Sequence, residues 1–380
     1  MPISISAQVV QEQSLGAMEY EVFESFEKVL RLDKETTHPW IPGSYFQYVN
    51  ELDAIAYLNQ ITSSIKFFDF KSNTVNHTIR IPRIGPNSTG KKPQVMYVHN
   101  KDSIFIFSHL NHGELGLYDF NGIKLRSYNL NVVDDLDAPQ HYAVLTDVYG
   151  SIIVVKDKLF ASLRILRSSK VKNYAPLLEL DLNSGEVSQL MEPLPYSKIK
   201  TEKIPYHKKL LSSRIAYNFE KDHLVVNYPM DHDLFVIDEK NRIQVIDGRN
   251  HEFDKFVILK KDIKKYTNQE HTYEVFFKGP RYDGILYNPF TKHYYRVIRL
   301  GMEQGDINKW KRGEKVKIFQ RFFIDVFNES FMKIASSEFT DEKLLFEQGM
   351  FVGPGGLWVL QPQSDDENEM KFTLLEVKLK

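Results

Sequence analysis

YFQYVNELDAIAYLN, residues 45–59, sets a short aromatic strand, a polar turn and a second apolar strand one after another. Alternation of this kind around turn-forming residues reads as an antiparallel hairpin. The same shape recurs as QVMYVHNKDSIFIFSH (94–109), YAVLTDVYGSIIVVKD (142–157), RIAYNFEKDHLVVNYP (214–229), YDGILYNPFTKHYYRVIR (282–299) and GMFVGPGGLWVLQP (349–362). The spacing between copies is about 50 to 70 residues, the range of repeats that build solenoids and propellers. Superposed on their turns, Tyr48, Tyr97, Leu145, Tyr217, Tyr287 and Phe351 or Val352 take equivalent places. Such recurrence marks packing between units. On the strand carrying Tyr294 and Tyr295, alternation sends one ring to the core and the other toward a neighbouring unit.

Each hairpin continues into further strands. After the second copy come ELGLYDF and NGIKLRSYNL, and after the fourth come DLFVIDE and NRIQVIDGR. The last strand of each pair starts near an Asn-Gly, Asn-Ser or Lys-Asn turn. Four short antiparallel strands, six times over, predict an all-β fold, a six-bladed β-propeller with four-stranded antiparallel blades. Tandem sandwiches would supply as many strands without repeating one hairpin six times. The expected organisation is a tether over residues 1–17 and one propeller over 18–380. Its blade repeats start near 44, 93, 141, 213, 281 and 346. The final unit ends one strand short at MKFTLLEVKLK, while YEVFESFEKVLRLD (20–33) is a spare strand-like stretch near the other terminus. An N-terminal strand completing the C-terminal blade closes the ring and removes an open edge. The competing reading of residues 18–30 is an amphipathic helix.

RIGPNSTGKKPQVMYV (83–98) carries the glycine and lysine spacing of a phosphate loop. Such a loop needs Ser or Thr after its lysine and then a helix facing the phosphates. Here Lys92 and Pro93 follow, and then a strand. The segment is a turn between blades, as GPGG at 353–356 is a tight hairpin in which glycine supplies the backbone angles.

Composition bounds the partners. The chain of 380 residues has 49 basic and 50 acidic side chains, so it has no long-range field for nucleic acid or an anionic membrane. Its 26 Phe and 20 Tyr favour strands. Cysteine is absent, which removes disulfides and thiolate chemistry and fits a mature extracytoplasmic protein. No run approaches the length of a transmembrane helix. The opening MPISISAQVVQEQS lacks a charged and an apolar region, and reads as the polar tether of a secreted or lipid-anchored precursor after removal of its leader. A periplasmic or outer-membrane address is expected, with a cytoplasmic one as the alternative, and a monomer is expected.

At GPRYDGILYNPFTKHYYRVIRL the chain resembles the secreted, usually lipid-anchored six-bladed propeller proteins of Gram-negative anaerobes. These form a family of unknown function related to the TolB-like and NHL-like propellers. The resemblance is carried by Gly279-Pro280, Tyr287-Asn288, the run from Tyr294 to Arg296, and RIGP at 83–86. It implies the six-bladed fold and an extracytoplasmic address, and supplies no catalytic residues.

Propeller ligands meet the loops that precede each inner strand and join the second strand to the third. Candidate ligand-binding residues there are His38, Trp40, His109, His112, His141, Arg164, Tyr228, Asp231, His232, Arg281 and Tyr282, with Arg167 in the same insertion as Arg164. The spacing of His109 and His112 on a loop does not orient two imidazoles on one metal ion. No nucleophile elbow is present, SDDENE at 364–369 lacks the calcium-loop pattern, and KKDIKKYTNQEH at 260–271 lacks interleaved aromatics. No catalytic residue, metal site or cofactor is assigned. The expected function is a cell-envelope binding module for a glycan, peptide or partner protein. The alternative is a propeller-fold lyase or hydrolase acting on a carbohydrate or lactone, with or without a metal.

Overall fold

Aromatic and β-branched residues alternating between short polar turns favour antiparallel meanders. The computed structural model of the protein arranges six of them in a ring. It describes residues 20–39, 45–89, 92–108, 114–130, 142–144, 152–165, 177–189, 213–252, 279–312, 314, 320–363 and 365–379.

Blade one contains β2 (Phe46–Val49), β3 (Ala54–Asn59), β4 (Ser64–Asp69) and β5 (Val75–Arg80). Blade two contains β6 (Pro93–Asn100), β7 (Ser103–Ser108), β8 (Glu114–Tyr118) and β9 (Lys124–Asn129). In blade three, β10 (Tyr142–Val144) and β11 (Ile152–Val155) both pair with β12 (Lys158–Ile165), followed by β13 (Leu177–Asp181) and β14 (Val187–Gln189). Blade four contains β15 (Arg214–Asn218), β16 (His223–Asn227), β17 (Asp233–Ile237) and β18 (Ile243–Asp247). Blade five contains β19 (Arg281–Asn288), β20 (His293–Arg299), β21 (Arg321–Asn328) and β22 (Lys333–Thr340), with helix α1 (Gln304–Lys311) between β20 and β21. Blade six joins β23 (Met350–Gly353), β24 (Gly356–Leu360) and β25 (Glu369–Leu379) to β1 (Tyr20–Arg31).

The spare N-terminal segment is therefore a strand, not a helix. It pairs antiparallel with β25 from Tyr20↔Leu379 to Arg31↔Glu369, with one irregularity between Glu24 and Phe26. Its inward residues Val22 and Leu30 are buried. The side chain of Lys28 is buried as well, and reaches out of blade six into blade one. Its ammonium donates to the Phe70 carbonyl at 2.7 Å and to Asn73 Oδ1 at 3.0 Å. It also lies 3.8 Å from the centroid of the Phe70 ring and 5.7 Å from that of Trp358. A cation held this way is attracted to the ring faces as well as to its acceptors.

The core lies in the interfaces between blades. Tyr295 packs with β21, β23 and β24, whereas its neighbour Tyr294 packs with β15–β17 residues of blade four. Both are fully buried on opposite faces of one strand. Asparagine and glutamine side chains join blades where main chains cannot pair. Gln47 exchanges two hydrogen bonds with the Val98 backbone, at 2.7 and 2.8 Å. Asn288 donates to the carbonyls of Gly353 and Gly356 at 2.8 Å each, covering the GPGG turn. Gly355 in that turn has φ +88, and a Cβ on Gly356 would lie 2.2 Å from the Leu375 carbonyl oxygen.

Blade three departs from the sequence reading. Its hairpin turn lies at Lys156 and Asp157, where Val155 pairs with Lys158. Val154↔Leu159 thus occupies the place of Tyr48↔Ile55, and Leu145 lies outside the described residues. Lys156 holds the left-handed angle of the turn with φ 53. After residues 83–89 the chain enters β6, so a strand stands where a phosphate loop requires a helix. Residues 1–19 lie outside the described residues, and no helix among the described residues is long and apolar enough to cross a membrane.

Lys28→Met keeps the apolar stem and removes the ammonium, so closure loses its charge-assisted bonds. A loss of about 1–3 kcal/mol is expected in urea unfolding, with an unchanged slope against denaturant.

Candidate functional site

In a four-stranded meander, the chain enters each inner strand at the same end of the ring at which the second strand passes to the third. Blade four brings its 228–232 turn to this end, and blade five brings the start of β19 and the end of β20. Two polar clusters meet there.

The first is built on Tyr282. Its main-chain N–H donates to the Pro229 carbonyl at 3.0 Å, which fixes β19 against the blade-four turn. Its hydroxyl accepts the Asn250 N–H at 3.1 Å and lies 2.8 Å from His232 Nδ1. Burial pushes this hydroxyl up to about 12, so it stays protonated at neutral pH. The phenol and the imidazole thus share one hydrogen bond, whose donor is set by the tautomer of His232.

Arg296 underlies the pair. Its guanidinium carbon sits 3.3 Å from the centroid of the Tyr282 ring. It donates to Asn227 Oδ1 and to the carbonyls of His232 and Gly248 at 2.7 Å each, and to the Asp231 carbonyl at 2.9 Å. Gly248 is required for this approach, since a Cβ there would meet Arg296 Nη1 at 2.5 Å and the His232 carbonyl oxygen at 2.9 Å. Asn250 in turn donates to Asp325 Oδ1 at 2.8 Å, and Asp325 is paired with Lys333 at 2.8 Å.

The second cluster surrounds Asp283. Arg281 Nε donates to its Oδ1 at 2.6 Å, and Arg299 Nε to its Oδ2 at 2.5 Å. Arg281 and Arg299 face each other in the β19–β20 register. That register slips between Tyr282 and Gly284, and the bulge sets Asp283 between the two guanidiniums. Arg299 also donates through Nη1 to Gln320 Oε1 and pairs through Nη2 with Glu347 Oε1 from the segment before β23. Gln320 is held by its N–H on Asp341 Oδ1 at 2.7 Å. Burial alone would raise the Asp283 carboxyl, but Arg281 and Arg299 hold it below the usual carboxylate range. Burial and the neighbouring Arg299 lower Arg281, with Asp283 opposing both.

Of the sequence candidates, the structure gathers Tyr228, Asp231, His232 and Tyr282 at the junction of blades four and five, and sets Arg281 in the neighbouring cluster around Asp283. Tyr228 is buried against Phe235, with ring centroids 5.7 Å apart. Asp231 accepts the Asp233 N–H at 3.0 Å and orders its own turn. His38 lies apart, half-buried in the linker to blade one, and burial lowers its pKa. Arg164 lies on β12 near β10, and nothing is described of its side chain. Trp40, His109, His112, His141 and Arg167 lie outside the described residues. Sequence reasoning missed Asp283, Arg296, Arg299, Asn250, Gln320 and Glu347. One signal was present: arginines at 296 and 299 interrupt an otherwise apolar strand. Among the described residues no group of three or more His, Asp or Glu side chains is placed to hold a metal ion.

The family profile described as Domain of unknown function (DUF4221) matches residues 23–336. The chain is similar to the crystal structure of a member of that family from Bacteroides vulgatus, at 18% identity and a TM-score of 0.72, over 96% of this chain and 100% of that one. It is also similar to a provisionally exported protein from Bacteroides fragilis, at 11% identity and a TM-score of 0.50, over 97% and 98% of the two chains. No curated protein matches the sequence.

Asp283→Asn would leave two buried guanidiniums without their carboxylate, at a cost of about 3–5 kcal/mol near pH 7. A depressed carboxyl stabilises the fold above its unfolded pKa of about 4, and this is lost as pH falls through the lower folded value. The gap between wild type and variant in denaturant midpoint should therefore be full at neutral pH, begin to shrink near about pH 4, and close only as pH falls through the lower folded value.

Proposed function

Because the chain belongs to the family described as Domain of unknown function (DUF4221), we propose that it is a cell-envelope binding module whose ligand docks at the channel mouth beside blades four and five. The observation that carries this reading is the start of β19. Three consecutive polar side chains, Arg281, Tyr282 and Asp283, are each at most 5% exposed there. Tyr282 is held by the blade-four turn and by Asn250, and Asp283 by Arg281 of its own strand and Arg299 of β20. Burying such groups is costly unless they are paired, and a rigid, paired set is what oriented recognition requires. The ligand class is a glycan, peptide or partner protein, and the protein acts as a monomer.

An extracytoplasmic address is supported by the absence of cysteine and by the fold shared with the provisionally exported Bacteroides fragilis protein. A lyase or hydrolase acting on a carbohydrate or lactone is the second reading. Its specific support is the Tyr282–His232 pair, a protonated phenol bonded to an imidazole at 2.8 Å, which is the form of a general acid–base couple.

A glycan-array and metabolite screen, followed by titration of the hit into wild type, His232→Ala and Tyr282→Phe, tests both. Binding weakened about tenfold or more in the variants, with the ligand recovered intact, is expected (tenfold corresponds to about 1.4 kcal/mol). Equal binding by all three proteins would overturn the placement at this mouth. Ligand turnover that disappears in both variants would establish the enzyme instead.

A further inference from the structure

Among the charged groups at the mouth, Arg299 and Glu347 are unequal partners. The guanidinium of Arg299 is 4% exposed and the carboxylate of Glu347 is 42% exposed. The inner side of Arg299 is fixed, with Nε on buried Asp283 and Nη1 on Gln320. Its Nη2 side is met by a glutamate that reaches in from another blade. Glu347 stands on a turn in which the N–H groups of Gln348 and Gly349 bond to the Leu345 carbonyl at 3.0 and 3.2 Å. Leu344 and Phe346 anchor that turn in the core. Rotation of the Glu347 side chain into solvent would therefore leave the backbone and both anchors where they are.

Two physical rules act on this contact in opposite directions. A buried guanidinium does not deprotonate, and a carboxylate at its edge offsets part of the cost of burying it. A half-exposed carboxylate on a flexible stem is held weakly, because water competes for it and ordering its side chain opposes the pairing. The position suits a carboxylate, and its present occupant is easily exchanged. Arg281 shares Asp283 with Arg299, and Asp341 orients Gln320, so the geometry that receives the carboxylate is set without Glu347.

Resting on the reading of this mouth as a binding site, we infer that Arg299 and Gln320 form a carboxylate-binding subsite in which Glu347 is an internal stand-in, displaced when a ligand presents a carboxylate of its own. The same group is offered by an acidic sugar or by an acidic amino-acid side chain. The planar fork of arginine suits both, whereas a lysine would not reproduce it.

The test uses matched probes that differ in one group: D-glucuronate against D-glucose, and N-acetylglutamate against N-acetylglutamine. Calorimetric titration of wild type, Glu347→Ala and Glu347→Gln should show a carboxylate probe binding at least tenfold more tightly to both variants than to wild type. Its neutral counterpart should not change. Adding Arg299→Lys to Glu347→Ala should abolish the gain, with folding verified by the unfolding midpoint. Preference for glucuronate or for N-acetylglutamate then identifies the source of the carboxylate, and either supports the subsite. Equal affinity of all three proteins for the carboxylate probes, or equal gains for neutral and acidic probes, would overturn it. If the ligand from the wider screen still bound the mouth after that result, the binding-module reading would survive and this subsite alone would fall.

Discussion

The pairing of β1 with β25 constrains everything else, because it joins residues 20–31 to residues 369–379. Each blade is a separate four-stranded sheet, and without β1 the last would stop at three strands with β25 as its open edge. The closing strand covers β25 and ties blade six to blade one. It also orders almost the whole length of the chain within one loop, a contact of very high sequence separation that is formed against chain entropy. The interaction is correspondingly reinforced. Lys28 ties the closing strand to Phe70 and Asn73 of blade one, while the Phe70 and Trp358 rings meet edge to face at 5.9 Å across the same junction. Ring closure fixes the angle between neighbouring blades, and that angle decides which loops meet at the channel mouth.

Within the closed ring, blades five and six are locally specialised. The inner hairpin of blade six turns at Pro354 and Gly355, and Asn288 of blade five fits over it with two hydrogen bonds. At the other end of the same inner strand, the slip between Tyr282 and Gly284 brings Asp283 into line with Arg281 and Arg299. One strand thus carries a packing device at one end and a charged cluster at the other. The bulge allows this, since perfect alternation from Asn288 back to Arg281 would fix both ends to the same two faces.

Fold and site were legible to different depths for identifiable reasons. The six hairpins and the closing strand could be read because local alternation and turn chemistry act over a few residues. Blade three was harder to read, because its hairpin turn is made by Lys156 in a left-handed conformation that composition does not favour. In the site, Arg281, Tyr282 and His232 could be placed from the blade pattern alone. Asp283, Arg299 and Glu347 could not be grouped, because the bulge that aims the first and the inter-blade contact that recruits the last are tertiary events. Asn250 is similar: it serves Tyr282 through its main-chain N–H, which carries no side-chain signature.

The two arginines of β20 show how burial separates structure from recognition. Residues 296 and 299 differ by an odd number of positions, so their side chains leave opposite faces of the strand. Arg296 turns toward blade four, where it is met by Asn227, by three carbonyl groups and by the face of Tyr282. Those acceptors belong to the backbone and to a buried amide, and none can leave without unfolding the turn around Gly248. Arg299 turns toward blade six and ends on a carboxylate that water can reach. Two cations of one strand are thus desolvated to the same degree, but one is closed by permanent groups and the other by a removable one. That difference in the partner's freedom, more than any difference in charge, makes Arg299 the group at this mouth suited to an outside ligand.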